Sequence, residues 1–515
     1  MRSPLDLKRR ATPSRLTLSA LALSLGLAGC TLGPDYVRPD TQLPADYRPG
    51  NVSATQPTPA DQAATAAAER ALVRQDWWTL FDDAKLNDLM EQALRNNADM
   101  AIALARIAQA EALAAQAGAP LYPTLGVNAG IVRASSGAQA TVQGVAVQAN
   151  TSQAAIATSY EIDVWGRVRR GIESAGAIVN ASVNDQAAVR LTVEGLVAST
   201  YLRLRSQDAQ IDVLRDSIRT REHTTRIAQA KLEGGLVSPI DVNQATASLA
   251  AAQAGLSENI RQRDVAQNLL GVLTGNLEVV IAPGDVRKLP VPPVPPPGLP
   301  STLLESRPDI AKAEQDLVAA NARIGVATAN LFPVFSLTGL LGVQTIDLSQ
   351  AISPQSTIWQ AGLGMVAPIF AGGLLQGRLD YARAQQQEVL GIYIKVVRNG
   401  FGEVSDALVN VRQTLTTEGY LSTQVAASTK AQEFAIMRYE AGYVDFLTVL
   451  QEQRTTNDAR LAYVINRAAR LQSAVDLFKA LGGGWTATAA SGSNPPSVQA
   501  QAQAQGATAL SDKPK

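Results

Sequence analysis

Three features of this 515-residue chain could carry chemistry: a lone cysteine, a lone histidine and one close pair of carboxylates. Cys30, in "LGLAGCTLGPDY", offers a thiol for acylation, redox exchange or metal ligation. A chain without a second cysteine can build neither an internal disulfide nor a multi-cysteine metal site. His223 lies in "TREHTTRI" on a predicted helix among charged neighbours. With no second histidine or free thiol to complete the common zinc or nucleophile sites, it reads as a surface side chain. Glu161 and Asp163 could form an acid and base pair, but positions two apart diverge on a helix and nothing else marks a pocket. These residues predict no catalytic site, no metal and no cofactor, so the chain reads as a non-enzyme.

The surroundings of Cys30 favour acylation. Arg2, Lys8, Arg9, Arg10 and Arg15 precede an apolar run from Leu16 to Ala28, which is the pattern of a secretory signal over residues 1–29 and is short for a membrane span. Leu-Ala-Gly-Cys at 27–30 resembles a lipobox, so a covalent lipid on Cys30 is expected as the sole non-protein group. Thr31 stands where an aspartate commonly retains lipoproteins in the inner membrane, which favours the outer membrane. Lys plus Arg equals Asp plus Glu at 45 each, so nucleic acid is not an expected partner. After the signal no run of 18 apolar residues occurs, which argues against an α-helical membrane protein.

The elements that must position any function are duplicated in sequence. "NNADMAIALARIAQAEALAAQAGAPLYPTL" (96–125) aligns without a gap to "SRPDIAKAEQDLVAANARIGVATANLFPVF" (306–335), and "KLEGGLVSPIDVNQA" (231–245) aligns to "RYEAGYVDFLTVLQE" (438–452). The chain divides accordingly: a lipid-anchored segment 30–85, a first repeat 86–289, a connector 290–300 with seven prolines in eleven residues, a second repeat 301–484, and a flexible tail 485–515.

Within each repeat the periodicity switches. Leu390, Ile394, Val397, Phe401, Val404, Leu408, Val411 and Leu415 alternate gaps of four and three, the spacing of a coiled-coil seam, and Val197, Tyr201, Leu204, Ile211, Leu214 and Ile218 mark a looser stripe. A helix from about 376 to 439 would be on the order of 95 Å long. Glycines at "EGGLVSP" (233–239) and "EAGYVD" (440–445) would let each long helix turn into a hairpin, with Gly234, Gly235, Gly442 and Asp445 at the tips. Residues 123–163 and 333–370 instead show strand character. Trp359, Ala361, Leu363 and Met365 alternate with Gln360, Gly362 and Gly364. Each insertion is long enough for one β-hairpin, so one chain supplies four strands, too few to close a barrel. Three chains would give twelve, with Phe335, Trp359 and Tyr160 as candidate aromatic girdles.

"AGCTLGPDYVRP" (28–39), "SYEIDVWGRVRR" (159–170), "RPDI" (307–310), "RYEAGYVDFLTVLQEQR" (438–454) and "ALGGGW" (480–485) together resemble the outer-membrane factors of tripartite, RND-type efflux systems, in their lipoprotein branch (TolC/OprM/NodT-like). The resemblance implies a mixed α/β membrane protein. It would be a homotrimer whose twelve-stranded outer-membrane β-barrel continues into a long periplasmic α-helical barrel. It also implies a passive exit duct for small molecules, in contact with outer-membrane lipids, a periplasmic adaptor protein and an inner-membrane transporter. The alternative is an outer-membrane channel for type I protein secretion. By resemblance the closed end lies at the second tip, where Leu447 would face the axis, Tyr439 would tether the inner helix pair, and Gln451 occupies a position that often carries an aspartate. Asp445 could replace part of that charge.

Overall fold

The computed structural model describes residues 31–44, 74–136, 147–293, 306–346 and 353–486. The signal, Cys30, residues 45–73, most of the proline connector and the tail beyond Thr486 lie outside them. Eleven principal elements follow in order. The first six are α1 (Ala84–Asn96), α2 (Ala98–Gly118), β1 (Thr124–Ser136), β2 (Val147–Ile162), α3 (Arg167–Glu233) and α4 (Pro239–Thr274). The remaining five are α5 (Pro308–Ala329), β3 (Val334–Thr345), β4 (Thr357–Val366), α6 (Leu374–Glu440) and α7 (Phe446–Ala480). Helix, two strands, long helix and returning helix thus occur twice. The long helices α3 and α6 are each 67 residues, on the order of 100 Å. Among the described residues no helix is long and apolar enough to cross a membrane.

The chain forms two compact units. The first comprises Met1–Pro39, Gln109–Asn180 and Glu314–Ile392. Its centre is a four-stranded antiparallel sheet in the order β1-β2-β3-β4. Directly opposed residues share a face, and the register sorts the side chains cleanly. One face carries the rows Val127, Ile156, Leu341, Trp359 and Tyr160, Leu337, Leu363; the other carries Thr124, Ser159, Thr338, Gly362 and Gly126, Ala157, Leu340, Gln360. The first is apolar and the second mostly small or polar, as period two predicts. Gly342 is required where β3 crosses β2, because a Cβ there would strike the Ala154 carbonyl and Ala155.

A strap from Thr31 to Arg38 is pinned in the same unit. Leu32 N–H donates to the Trp165 carbonyl (3.1 Å), Asn321 donates to the Pro34 carbonyl (2.8 Å), and Arg170 donates to Asp35 (2.6 Å). A Cβ on Gly33, in the left-handed region at φ 98°, would strike the Gly325 backbone, and one on Gly325 would strike the Leu32 carbonyl and the Arg170 side chain. Glu161 and Asp163 are structural here. Glu161 takes a two-pronged ion pair from Arg167 (2.9 and 2.6 Å), and Asp163 accepts the Val168 and Arg169 amides (both 3.0 Å), capping α3.

The second unit comprises Asp40–Ala108, Ala181–Ala313 and Tyr393–Lys515. Val197, Tyr201, Leu204, Ile211 and Leu214 of α3 are buried, as the stripe predicts. On α6 the buried line is Tyr393, Val397, Gly400, Val404 and Ala407, whereas Phe401 and Leu408 are half-buried and Leu415 is exposed. The buried line is therefore rotated from the expected seam to include the small residues Gly400 and Ala407. Two quoted motifs meet in this unit. Arg307 of "RPDI" donates to Asp309 (3.0 and 2.8 Å), Glu403 (2.8 Å) and the Ala480 carbonyl (2.8 Å). In "ALGGGW", Gly482, Gly483 and Gly484 all have positive φ, and a Cβ on Gly482 would strike the Ser306 carbonyl. Trp77 stacks on Phe478 at 5.6 Å. Glu194, buried on α3 and hydrogen-bonded by Arg190 (2.8 Å), is pushed above the usual carboxylate range by burial, against the pull of Arg190. A second buried node joins Asp208 to Arg205 (3.3 Å) and Arg263 (2.9 Å), while Arg205 also donates to the Ala282 carbonyl (2.7 Å).

Candidate functional site

Chemistry is sparse, so the candidate site is built from surfaces and closures. His223 is exposed on α3, and among the described residues no cluster of His, Cys, Asp or Glu could hold a metal.

The hairpin tips lie in the second unit and share one backbone solution. After α3, Leu236 N–H donates to the Lys231 carbonyl (2.8 Å) and Gly235 N–H to the Leu232 carbonyl (2.9 Å). After α6, Tyr443 donates to Arg438 (2.8 Å) and Gly442 to Tyr439 (3.0 Å). This paired closure needs a left-handed residue, supplied by Gly235 (φ 74°) and Gly442 (φ 81°). Gly234 has no positive φ and only precedes the turn. The returning helices are then capped. Ser238 accepts from Ile240 N–H (3.3 Å) ahead of Pro239, and the Asp445 carboxylate accepts from Thr448 N–H (2.9 Å). The direction of Asp445 was not readable from sequence. It is committed to the start of α7, and its bonds from the Thr448 hydroxyl and amide hold it below the usual carboxylate range.

Behind these turns the two hairpins interlock. Ala228 and Ala245 of the first hairpin are buried with Ala435, Tyr439, Phe446 and Val449 of the second. The Tyr439 and Phe446 rings lie 5.2 Å apart, and the Lys231 ammonium sits 4.4 Å over the Tyr439 ring while donating to the Tyr439 carbonyl. Among the described residues the buried Tyr439 hydroxyl has no hydrogen-bond partner, and burial, with Asp241 nearby, raises its pKa. Tyr439 therefore ties the hairpins through its ring and backbone. Farther from the tip, Gln453 donates to Thr224 (3.2 Å) and Arg460 to Asp216 (2.7 Å).

Leu447 is on the other side of α7. It is 62% exposed, while its neighbours Phe446 and Val449 are buried. Gln451, one turn on, is exposed as well. Leu447 is thus not packed in the intrachain seam. Lys231, Phe446 and Gln453 were not singled out from the sequence, although Lys231 lay inside the quoted repeat opposite Arg438.

In the first unit the functional surface is the sheet itself. Among the described residues β1 and β4 each pair on one side only, and the apolar face leaves Val127, Trp359, Leu363 and Met365 exposed. Comparison with known proteins decides what such a sheet and such hairpins belong to. The model of the family "Outer membrane efflux protein" matches residues 89–276 and 299–483.

The chain belongs to the outer membrane efflux protein family. It is 32% identical over 481 residues, 91% of this chain and 97% of the relative, to the pyoverdine export outer membrane protein OpmQ of Pseudomonas aeruginosa. It is 33% identical over 482 residues, 92% of this chain and 96% of the relative, to a probable efflux pump outer membrane protein, TtgC, of Pseudomonas putida. Among solved structures, the outer-membrane channel OprN superposes with a TM-score of 0.80 at 29% identity, covering 88% of this chain and all of that one. The family member described here is an outer-membrane efflux duct, and its family is one of channel proteins rather than enzymes. These relatives are named for efflux, and the type I secretion alternative finds no support among them.

Proposed function

We propose that three copies of this efflux protein close one tunnel: a twelve-stranded barrel in the outer membrane and a ring of long periplasmic helices arising from two duplicated halves. The observation that carries this reading is the sheet. It is apolar on one face, largely small and polar on the other, and unpaired at both edges among the described residues. Lipid does not tolerate open edges, and four strands cannot enclose a lumen, so β4 of one copy pairs with β1 of the next. The near-equal lengths of α3 and α6, and of α4 and α7, support the duplication.

The tunnel is passive, exports small molecules, and works with a periplasmic adaptor and an RND-type inner-membrane transporter. Cys30 carries its lipid. The docking of Thr31 against Gly166, at the β2 to α3 junction, supports an anchor at the base of the barrel. At rest the tips close the tunnel, with Leu447 of each copy lining the constriction and Gln451 one turn behind it. The exposure of both side chains on α7 supports this placement.

Native mass spectrometry in mild detergent tests the assembly and should give three copies; a dominant monomer that conducts in a planar bilayer overturns it. Peptide mass spectrometry of the mature N-terminus should show a lipid-modified Cys30. An unmodified peptide running through residues 25–35 in most of the membrane-extracted protein removes the anchor.

A further inference from the structure

We infer that the outer wall of the barrel carries a binding site for a phosphorylated, multiply acylated lipid of the outer leaflet, with Arg133 on its phosphate and an adjoining notch on an acyl chain. The inference rests on the barrel reading above. On the apolar face, the rows Ala129, Ala154, Val343 and Ile131, Ser152, Thr345 line a cavity of about 340 Å³. Alanine and serine at its centre, between the bulkier Ile131, Val343 and Ile156, make the depression. A smooth lipid-facing wall has no need of it.

Arg133 follows on the same face, two residues beyond Ile131 and opposite Asn150. It is exposed and is the only lysine or arginine in the four strands. An arginine on the lipid face is costly at the bilayer midplane and nearly neutral at the interface. β1 leaves the helical end of the unit at Thr124 and runs away from it. Nine residues further on, at about 3.3 Å each and with a tilt of about 40°, Arg133 stands roughly 23 Å up the wall. The apolar band of such barrels is about 25 Å tall, so the guanidinium reaches the outer headgroup level. There a phosphate is the group it pairs with best, through two parallel hydrogen bonds. The notch lies one strand step toward the membrane centre, where the acyl chain of the same lipid runs. An inner-leaflet phospholipid would place its phosphate at the opposite end of the strands.

The test uses the full-length protein in nanodiscs containing bisphosphorylated lipid A, monophosphorylated lipid A or phosphatidylglycerol, with native mass spectrometry counting retained lipid and single-channel recording confirming the pore. The wild type should retain lipid A over phosphatidylglycerol. Arg133→Gln should weaken lipid A retention about tenfold, the loss of one charge-assisted contact. Arg133→Lys should recover most of it. Ala154→Phe, which fills the notch, should lower retention of both lipid A forms, and Ser152→Trp provides a second block of the same space. Equal retention of lipid A and phosphatidylglycerol by the wild type overturns the site, as does unchanged retention in both Arg133→Gln and a notch-filling variant that conducts. Failure of the wild type to form a pore overturns the barrel reading and this site with it; a conducting pore that retains no lipid A overturns the site alone.

Discussion

Glu194 shows how one carboxyl sets a pH dependence in the helical unit. Its pKa is raised in the fold, first by burial, so the folded chain holds a proton that the unfolded chain releases near the ordinary value of 4.5. Stability contributed by this group is therefore present below that value and is lost as pH rises through the raised folded pKa. Glu194→Gln should raise the thermal midpoint at pH 7 by a few degrees and flatten the fall in stability above pH ~4.5, measured by scanning calorimetry across pH. An unchanged pH profile would mean that Arg190 cancels the burial. At the tip, the roles proposed for Leu447 and Gln451 are read through conductance. A ring of leucines excludes water from a narrow passage, so Leu447→Ser should raise resting single-channel conductance several-fold in an assembled trimer. Gln451→Asp adds three carboxylates and should make that conductance sensitive to added magnesium, unlike the parent. Unchanged resting conductance in Leu447→Ser moves the gate elsewhere.

At the scale of elements, what was legible in the sequence was whatever depends on local spacing. Period two marked the strand around Trp359 and a small, polar, nearly uncharged composition marked the other insertion, while the glycines of "EGGLVSP" and "EAGYVD" marked both hairpin turns, because only glycine reaches φ of 74° and 81° without strain. The α6 seam was misplaced in part because large side chains were given the weight, whereas the small residues Gly400 and Ala407 are among those buried. The Asp208 node was not legible at all. Besides Arg205 on the same helix, its partners Arg263 and the Gly284 amide are 55 and 76 residues away and are brought together only by the packing of α3, α4 and the segment after it. In the candidate site, Leu447 and Gln451 came from resemblance rather than pattern, and Lys231 was missed because its target is a ring 208 residues distant. "RPDI" and "ALGGGW" now have a mechanical reason to occur together. Gly482→Val should cost about 1–3 kcal/mol, through left-handed backbone strain and collision with the Ser306 carbonyl. Chemical denaturation of the assembled protein measures it, and a loss under 0.5 kcal/mol would show that the turn relaxes.

For the whole molecule, the open edges of the sheet tie stability to association. If the proposed closure holds, the chain has no separate folded monomer of comparable stability, and its apparent stability follows mass action. Thermal unfolding in detergent should shift to lower temperature on dilution, with loss of secondary structure coinciding with loss of the trimer by light scattering. A midpoint independent of concentration, with folded monomer present below it, would contradict the proposed closure.

The strap also imposes an order in time. Asn321 grips the Pro34 carbonyl across 287 positions of chain. At synthesis rates of about 5–20 residues per second, the docking surface on α5 emerges roughly 15–60 s after the segment that must bind it. Until then Thr31 to Arg38 can reach only the Trp165 and Arg170 part of their docking surface. An enzyme acting on Cys30 in the proposed lipidation therefore works before the Asn321 contact forms, and that contact closes the window behind it.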